Sequence, residues 1–184
     1  MYKVENDFTY KGYRCVVIFT DFGHRCGYVG VPLGHPLYKK EFTDHLDIPR
    51  SELDDEEFGK RGVLTLFSAA LDDDERIEMD FYFNVHGSLT YSGDGDYPVE
   101  SNLWWLGFDC AHYGDGVDLE LVEKYWGDDP KIQHRIELEK EYPTREGYPI
   151  RSKEYVEQEC MSLVDQIIEL AERLHINHHK SSQM

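Results

Sequence analysis

The chain lacks the motifs by which nucleotide-binding and hydrolytic folds are usually recognised. It contains no Gly-x-Gly-x-x-Gly, no Gly-x-x-x-x-Gly-Lys and no Gly-x-Ser-x-Gly. Dinucleotide folds, P-loop enzymes and serine hydrolases therefore have no phosphate loop or nucleophile elbow here. CxxC and HExxH are also missing, which removes the strongest sequence signatures of zinc. The four cysteines, Cys15, Cys26, Cys110 and Cys160, are too scattered for a disulfide framework and read as reduced. No apolar run reaches the roughly 18 residues that span a bilayer, so no membrane association is expected. Met1 to Tyr10 carries Glu5 and Asp7 and has no apolar stretch of the signal-peptide kind, which points to a cytoplasmic protein. Basic residues are scarce, with 19 Lys and Arg against 37 Asp and Glu.

Core-forming material is plentiful. Of 184 residues, 40% are hydrophobic and 14% aromatic, too many for a disordered chain despite a net charge of −18. One globular domain over residues 1–176 is expected, followed by a frayed polar tail at 177–184. The charge is unevenly spread. Between Glu41 and Asp129 there are 24 acids and 5 bases, while the flanks together hold 13 acids and 14 bases. The densest clusters are Glu52, Asp54, Asp55, Glu56 and Glu57, then Asp72, Asp73, Asp74 and Glu75. A field of this sign repels nucleic acid and anionic lipid and attracts a basic protein surface. Those nine carboxylates are accordingly the candidate partner-binding residues, unless they form only a solubilising face.

Hydrophobic patterning predicts an α+β fold, mainly an antiparallel sheet packed against a long C-terminal amphipathic helix with short helices between. Arg14–Phe19 and Cys26–Val31 read as a β-hairpin around a turn at Thr20–His24. Pro32 to Pro36 excludes a regular element there. Residues 44–60 read as loop with a short helical turn from Ser51, and Gly62–Ala70 is ambiguous between strand and helix. Glu78–His86, Ser88–Tyr91 and Leu103–Asp109 read as further strands. Leu119–Trp126 and Lys131–Tyr142 read as short helices. The clearest helix has Ser152 as its N-cap, with Val156, Cys160, Leu163, Val164, Ile167, Ala171 and Leu174 forming one apolar stripe.

Chemistry-bearing side chains concentrate between Val85 and Asp115. His86, Asp109 and His112 are residue types that bind zinc or another divalent metal, with Asp109-x-x-His112 spanning one tight turn. His24, Cys26 and His35 would add ligands if the hairpin packs against this region. No motif requires a cofactor, and a divalent metal is the alternative these residues allow. A nucleophilic arrangement is also writable, with Cys110 attacking, His86 or His112 as base, and Asp109 or Asp115 orienting the imidazole. The plain alternative is that Asp109 caps a turn, Cys110 is buried, and the histidines bond backbone groups at strand ends. Of the adjacent Trp104 and Trp105, one should lie outside the main core, because neighbours on a strand face opposite ways.

Several stretches carry a family resemblance: Gly23-His24-Arg25-Cys26-Gly27-Tyr28-Val29-Gly30-Val31-Pro32, His35-Pro36-Leu37-Tyr38, His86-Gly87-Ser88-Leu89-Thr90-Tyr91, and Gly107-Phe108-Asp109-Cys110-Ala111-His112. Together with Glu154-Tyr155-Val156-x-x-Glu159-Cys160, they resemble a family of small proteins encoded by bacteriophages and prophages. That family is similar to the type II anti-CRISPR inhibitors of Cas9. The resemblance implies a protein of the host bacterial cytoplasm that binds a basic host-defence protein, such as a Cas9-type nuclease, and blocks its engagement of nucleic acid. It transfers no catalytic residue. The alternative expectation is a metal-dependent hydrolase of a nucleotide or small anionic signal, using His86, Asp109 and His112. There the negative field would repel the substrate unless a metal or local arginines offset it.

Overall fold

The computed structural model describes residues 1–49 and 76–181. The fold is α+β, a mostly antiparallel five-stranded sheet against a long C-terminal helix. Strands β1 (Tyr2–Tyr10), β2 (Tyr13–Thr20), β3 (Arg25–Val31), β6 (Tyr91–Gly93) and β7 (Trp104–Asp109) form the sheet in the order β1-β2-β3-β7-β6, every pairing antiparallel. A second, two-stranded sheet pairs β4 (His45–Pro49) with β5 (Arg76–Glu78). The helices of the described residues are α1 (Met79–Tyr82), α2 (Leu119–Trp126), α3 (Pro130–Glu141) and α4 (Lys153–Ser181).

The central strands are apolar on both faces because both are covered. Cys15 and Val17 of β2, Val29 and Val31 of β3, and Trp104, Leu106 and Phe108 of β7 share one core with Val156, Cys160, Leu163, Val164, Ile167, Leu170 and Leu174 of α4. The expected stripe on α4 is thus present, with Leu170 joining it and Ala171 half-exposed. On the opposite face Val16, Ile18, Cys26, Tyr28 and Trp105 are covered by Tyr91, Tyr97, Val99 and Leu103. Both tryptophans are therefore buried, one in each core. A third cluster places Phe19 beneath Val122 of α2 and Ile132 and Ile136 of α3. Gly27 is what lets α4 come so close to the sheet: a Cβ there would lie 2.7 Å from Cys160 Sγ and 2.5 Å from the Phe108 ring.

The helices begin where short polar side chains satisfy their free amides. Asp118 accepts from Leu121 N, Asp129 from Lys131 N with Pro130 at the first turn, and the Ser152 hydroxyl from Tyr155 N.

Four readings of the sequence are corrected. Strand β1, unexpected, forms a hairpin with β2 through Lys11 and Gly12, whose φ values of 46° and 87° suit a two-residue turn of the type I′ kind. Residues 45–49, expected as loop, form β4. Residues 78–86 are not one strand, because after β5 the chain makes the single turn α1, burying Met79 and Tyr82 at helical spacing. That turn is tethered by Met79 N and Asp80 N, which donate to the carbonyls of Asp44 and Phe42. The strand expected at Ser88–Tyr91 begins only at Tyr91, since Gly87 and Ser88 have φ of 67° and 85°, which no strand accommodates. The readings at Ser51 and Gly62–Ala70 fall outside the described residues. Among the described residues, no helix is long and apolar enough to cross a membrane.

Candidate metal centre at the end of the sheet

Strand β7 ends at Asp109, and the following turns fold its continuation back beneath the loop that carries His86. Asp109 organises the exit: Oδ1 accepts from Ala111 N at 3.0 Å and Oδ2 from the Thr90 hydroxyl at 2.8 Å. The next turn closes through Asp115 N donating to His112 O, aided by Gly114 at φ 96°. Asp115 is thereby buried at 1% exposure with its carboxylate directed back at both histidines.

Three groups bond to Asp115. Its Oδ2 lies 2.7 Å from His86 Nε2 and accepts from His112 N at 3.0 Å, while Oδ1 accepts from Arg151 Nε at 2.8 Å. Burial alone would raise the Asp115 carboxyl. The Arg151 and His86 hydrogen bonds outweigh that cost, so its pKa falls below the ordinary carboxylate value. The two ring nitrogens of His86 are thus both engaged, Nε2 by the Asp115 carboxylate at 2.7 Å and Nδ1 by the Tyr155 hydroxyl at 3.0 Å. Burial pushes the Tyr155 phenol up to about 12, so it keeps its proton. The His86 amide donates to Glu159 at 2.9 Å. Tyr155 and Glu159 are four apart on α4 and share one face, so a single helix turn holds both ends of His86.

His112 completes the cluster. Its ring lies 5.6 Å from that of His86, and its buried Nδ1 sits 3.9 Å from Asp115 Oδ2 and 3.9 Å from Asp109 Oδ1. Among the described residues that nitrogen has no hydrogen-bond partner. His86, His112 and Asp115 each offer a ligand atom within 4.8 Å of the others. Gly87 makes the approach possible, since a Cβ there would stand 2.0 Å from the His112 ring. Ser88 beside it holds a left-handed φ that side chains rarely adopt, and such strain clusters at functional sites.

The arrangement suits a divalent transition metal. Bonds of about 2.0–2.1 Å in a tetrahedral site set ligand atoms about 3.3 Å apart. The 2.7 Å pair would open and the 3.9 Å pair close by side-chain rotation alone. The outer layer is of the expected kind: Arg151 holds the other oxygen of Asp115, and with a metal on Nε2 the proton of His86 would sit on Nδ1 and be donated to the Tyr155 oxygen.

Of the residues singled out from sequence as metal ligands, His86 and His112 are brought together. Asp109 is engaged by Thr90 and Ala111, and Asp115 closes the group in its place. His24 lies near enough to feel Asp109, Arg145 and Asp115, and burial lowers its pKa. His35 is elsewhere, its Nδ1 accepting from Leu37 N and its ring edge-on to Tyr13. Cys110 is no nucleophile: it is 1% exposed in the main core, where burial raises its thiol well above neutrality. The histidines do not simply bond backbone carbonyls, and Arg151, Tyr155 and Glu159 went unread as site residues. The nine acidic candidates, Glu52, Asp54, Asp55, Glu56, Glu57, Asp72, Asp73, Asp74 and Glu75, lie outside the described residues.

No protein family, curated protein or solved structure matches the chain. Its chemistry is therefore argued from these residues alone.

Proposed function

We propose that the protein is a metal-dependent hydrolase centred on His86, His112 and Asp115. The observation that carries this reading is the convergence of three ligand atoms around the unpartnered Nδ1 of His112, supported from behind by Arg151 and Tyr155. Two imidazoles and a carboxylate leave a fourth position for water, which a bound zinc-like ion acidifies towards neutral pH. His86 and Asp115 are nearly enclosed, whereas the His112 side chain is 36% exposed, so access is from the His112 side. Elemental analysis of protein purified without added metal, followed by cobalt titration read in the visible spectrum, tests the assignment. One equivalent of metal is expected, abolished in the double variant His86→Ala, His112→Ala. Stoichiometric binding that survives in that variant, or no binding by wild type, sinks the reading.

A second reading rests on a different observation, the concentration of negative charge between Glu41 and Asp129. In it the protein is an acidic inhibitor of a basic host-defence protein, such as a Cas9-type nuclease, whose nucleic-acid channel is positive. Neutralising Asp54, Asp55, Glu56 and Glu57 should then weaken binding and flatten its salt dependence, and binding indifferent to both salt and this substitution counts against it.

A further inference from the structure

In so acidic a chain, arginines are taken up by carboxylates. Among the described residues Arg14 faces Asp7, Arg25 Glu5, Arg76 Asp47, Arg135 Asp21, Arg151 Asp115 and Arg173 Glu169, all within 4.0 Å. Arg145 is the exception. Among the described residues it makes one hydrogen bond, a long one from Nη2 to the Ala111 carbonyl at 3.3 Å, which uses one of five guanidinium N–H groups.

Its position gives that exception meaning. Ala111 immediately precedes His112, so the bond fixes Arg145 beside the proposed centre, and His24 feels its charge together with those of Asp109 and Asp115. Arg145 also lines an open cavity of about 320 Å³ that starts at Gly116, the residue after Asp115. The other charged side chains lining it are Lys140, Glu139 and Glu146. Lys140 pairs with Glu123 at 3.1 Å, and Glu139 accepts from both the amide and the hydroxyl of Thr144. Tyr148 forms part of the wall and meets the ring of Tyr113, which is 96% exposed beside His112, at 5.6 Å.

We infer that Arg145 and this cavity bind the anionic group of the substrate, a small molecule carrying a phosphate or carboxylate next to a ring that packs on Tyr148 and Tyr113. Guanidinium presents paired donors that match either oxyanion, and an aromatic wall accepts a flat ring without reading its sequence of substituents. The inference rests on the proposed centre for its catalytic meaning, but the binding it describes needs no metal. A local arginine is also what an anion would require to approach a chain of this charge.

The test is calorimetric titration of chelator-treated, full-length protein with phenyl phosphate and, separately, with benzoate. Saturable binding of at least one is expected, weakened at least tenfold by Arg145→Gln and only partly restored in Arg145→Lys, which keeps the charge but not the paired donors, with circular dichroism unchanged. Phenyl phosphate alone binding identifies a phosphate substrate, and benzoate alone a carboxylate. Binding of neither, or binding indifferent to Arg145→Gln, overturns the inference. Since the titration is done without metal, failure of the metal assignment would leave its outcome untouched, and a metal-binding protein that ignores both probes would lose this inference only.

Discussion

Two arginine–carboxylate pairs, one enclosed and one whose arginine is half-exposed, lie within one hydrogen-bonded chain, and they differ in what else they touch. Arg25 meets Glu5 through two bonds of 2.6 and 3.1 Å, lies over the Phe19 ring at 5.0 Å and donates to the Arg151 carbonyl. Glu5 reaches it because a bulge between Val4 and Asn6 sets that residue outside the β1–β2 register. The other neighbours of this pair are backbone, an aromatic ring and the Asp118 carboxylate at 3.8 Å from Arg25 Nη1, and among the described residues no histidine completes it. Arg151 and Asp115 are joined by a similar bond, yet the free face of Asp115 is shared by two imidazoles. The first pair ties β1 to β3. The second holds a carboxylate charged and oriented for something else.

Substitution should separate the two roles. Arg25→Met leaves Glu5 charged in a buried position and is expected to cost about 3–5 kcal/mol in denaturant unfolding. Its metal stoichiometry, measured where the variant remains folded, should not change. Asp115→Ala should lose comparable stability and all metal binding. If both variants keep metal, or both lose it while folded, the distinction fails. Gly87→Ala comes next, at about 1–3 kcal/mol, because the added methyl meets the His112 ring and the residue has a positive φ. Metal affinity should fall with it.

A smaller effect on stability is expected for His112→Ala, within about 1 kcal/mol because the side chain is partly exposed. Metal affinity should nevertheless drop by about a hundredfold or more, beyond the loss typical of an outer-layer change. Equal affinity in wild type and variant would show that His112 is no ligand. The smallest expected effect concerns His24. Burial holds its folded pKa below the ordinary histidine value of about 6.5, so the unfolded chain binds a proton first as pH falls. Its contribution is complete above about 6.5 and is lost on acidification down to the lowered folded value. Melting temperatures at pH 7.5 and 5.5 should converge partly in His24→Gln, and an unchanged difference would assign the pH dependence to other groups.

How much of this was legible depended on whether the signal was local. Strands β2, β3 and β7 and helix α4 are marked by dense apolar runs or a three–four stripe, which sequence displays directly. Strand β1 was also marked, by alternation of Tyr2, Val4, Phe8 and Tyr10 with polar residues and by Lys11-Gly12, but its exposed residues offer little core weight. Residues 78–86 misled because Phe81, Tyr82 and Phe83 look strand-like, whereas tethers from Phe42 and Asp44 impose a turn. At the site, the types and positions of His86 and His112 could be read. Asp109 reads as a ligand from its spacing to His112 across one turn, but Asp115 stands at the same spacing on the other side, and Gly114 before it is the local mark of a chain turning back. Arg151, Tyr155 and Arg145 reach the centre only through long-range packing, for which no short pattern exists.

The docking of α4 also has a temporal side. His86 and Asp115 are contributed early and mid-chain, but Arg151, Tyr155 and Glu159, which bond their side chains and backbone, follow 36 to 73 positions later in the sequence. During synthesis the histidines therefore emerge without their supports. A nascent chain that stops before α4 would carry His86 without the Tyr155 hydroxyl and the Glu159 carboxylate, so the last helix is what completes the hydrogen bonding around it.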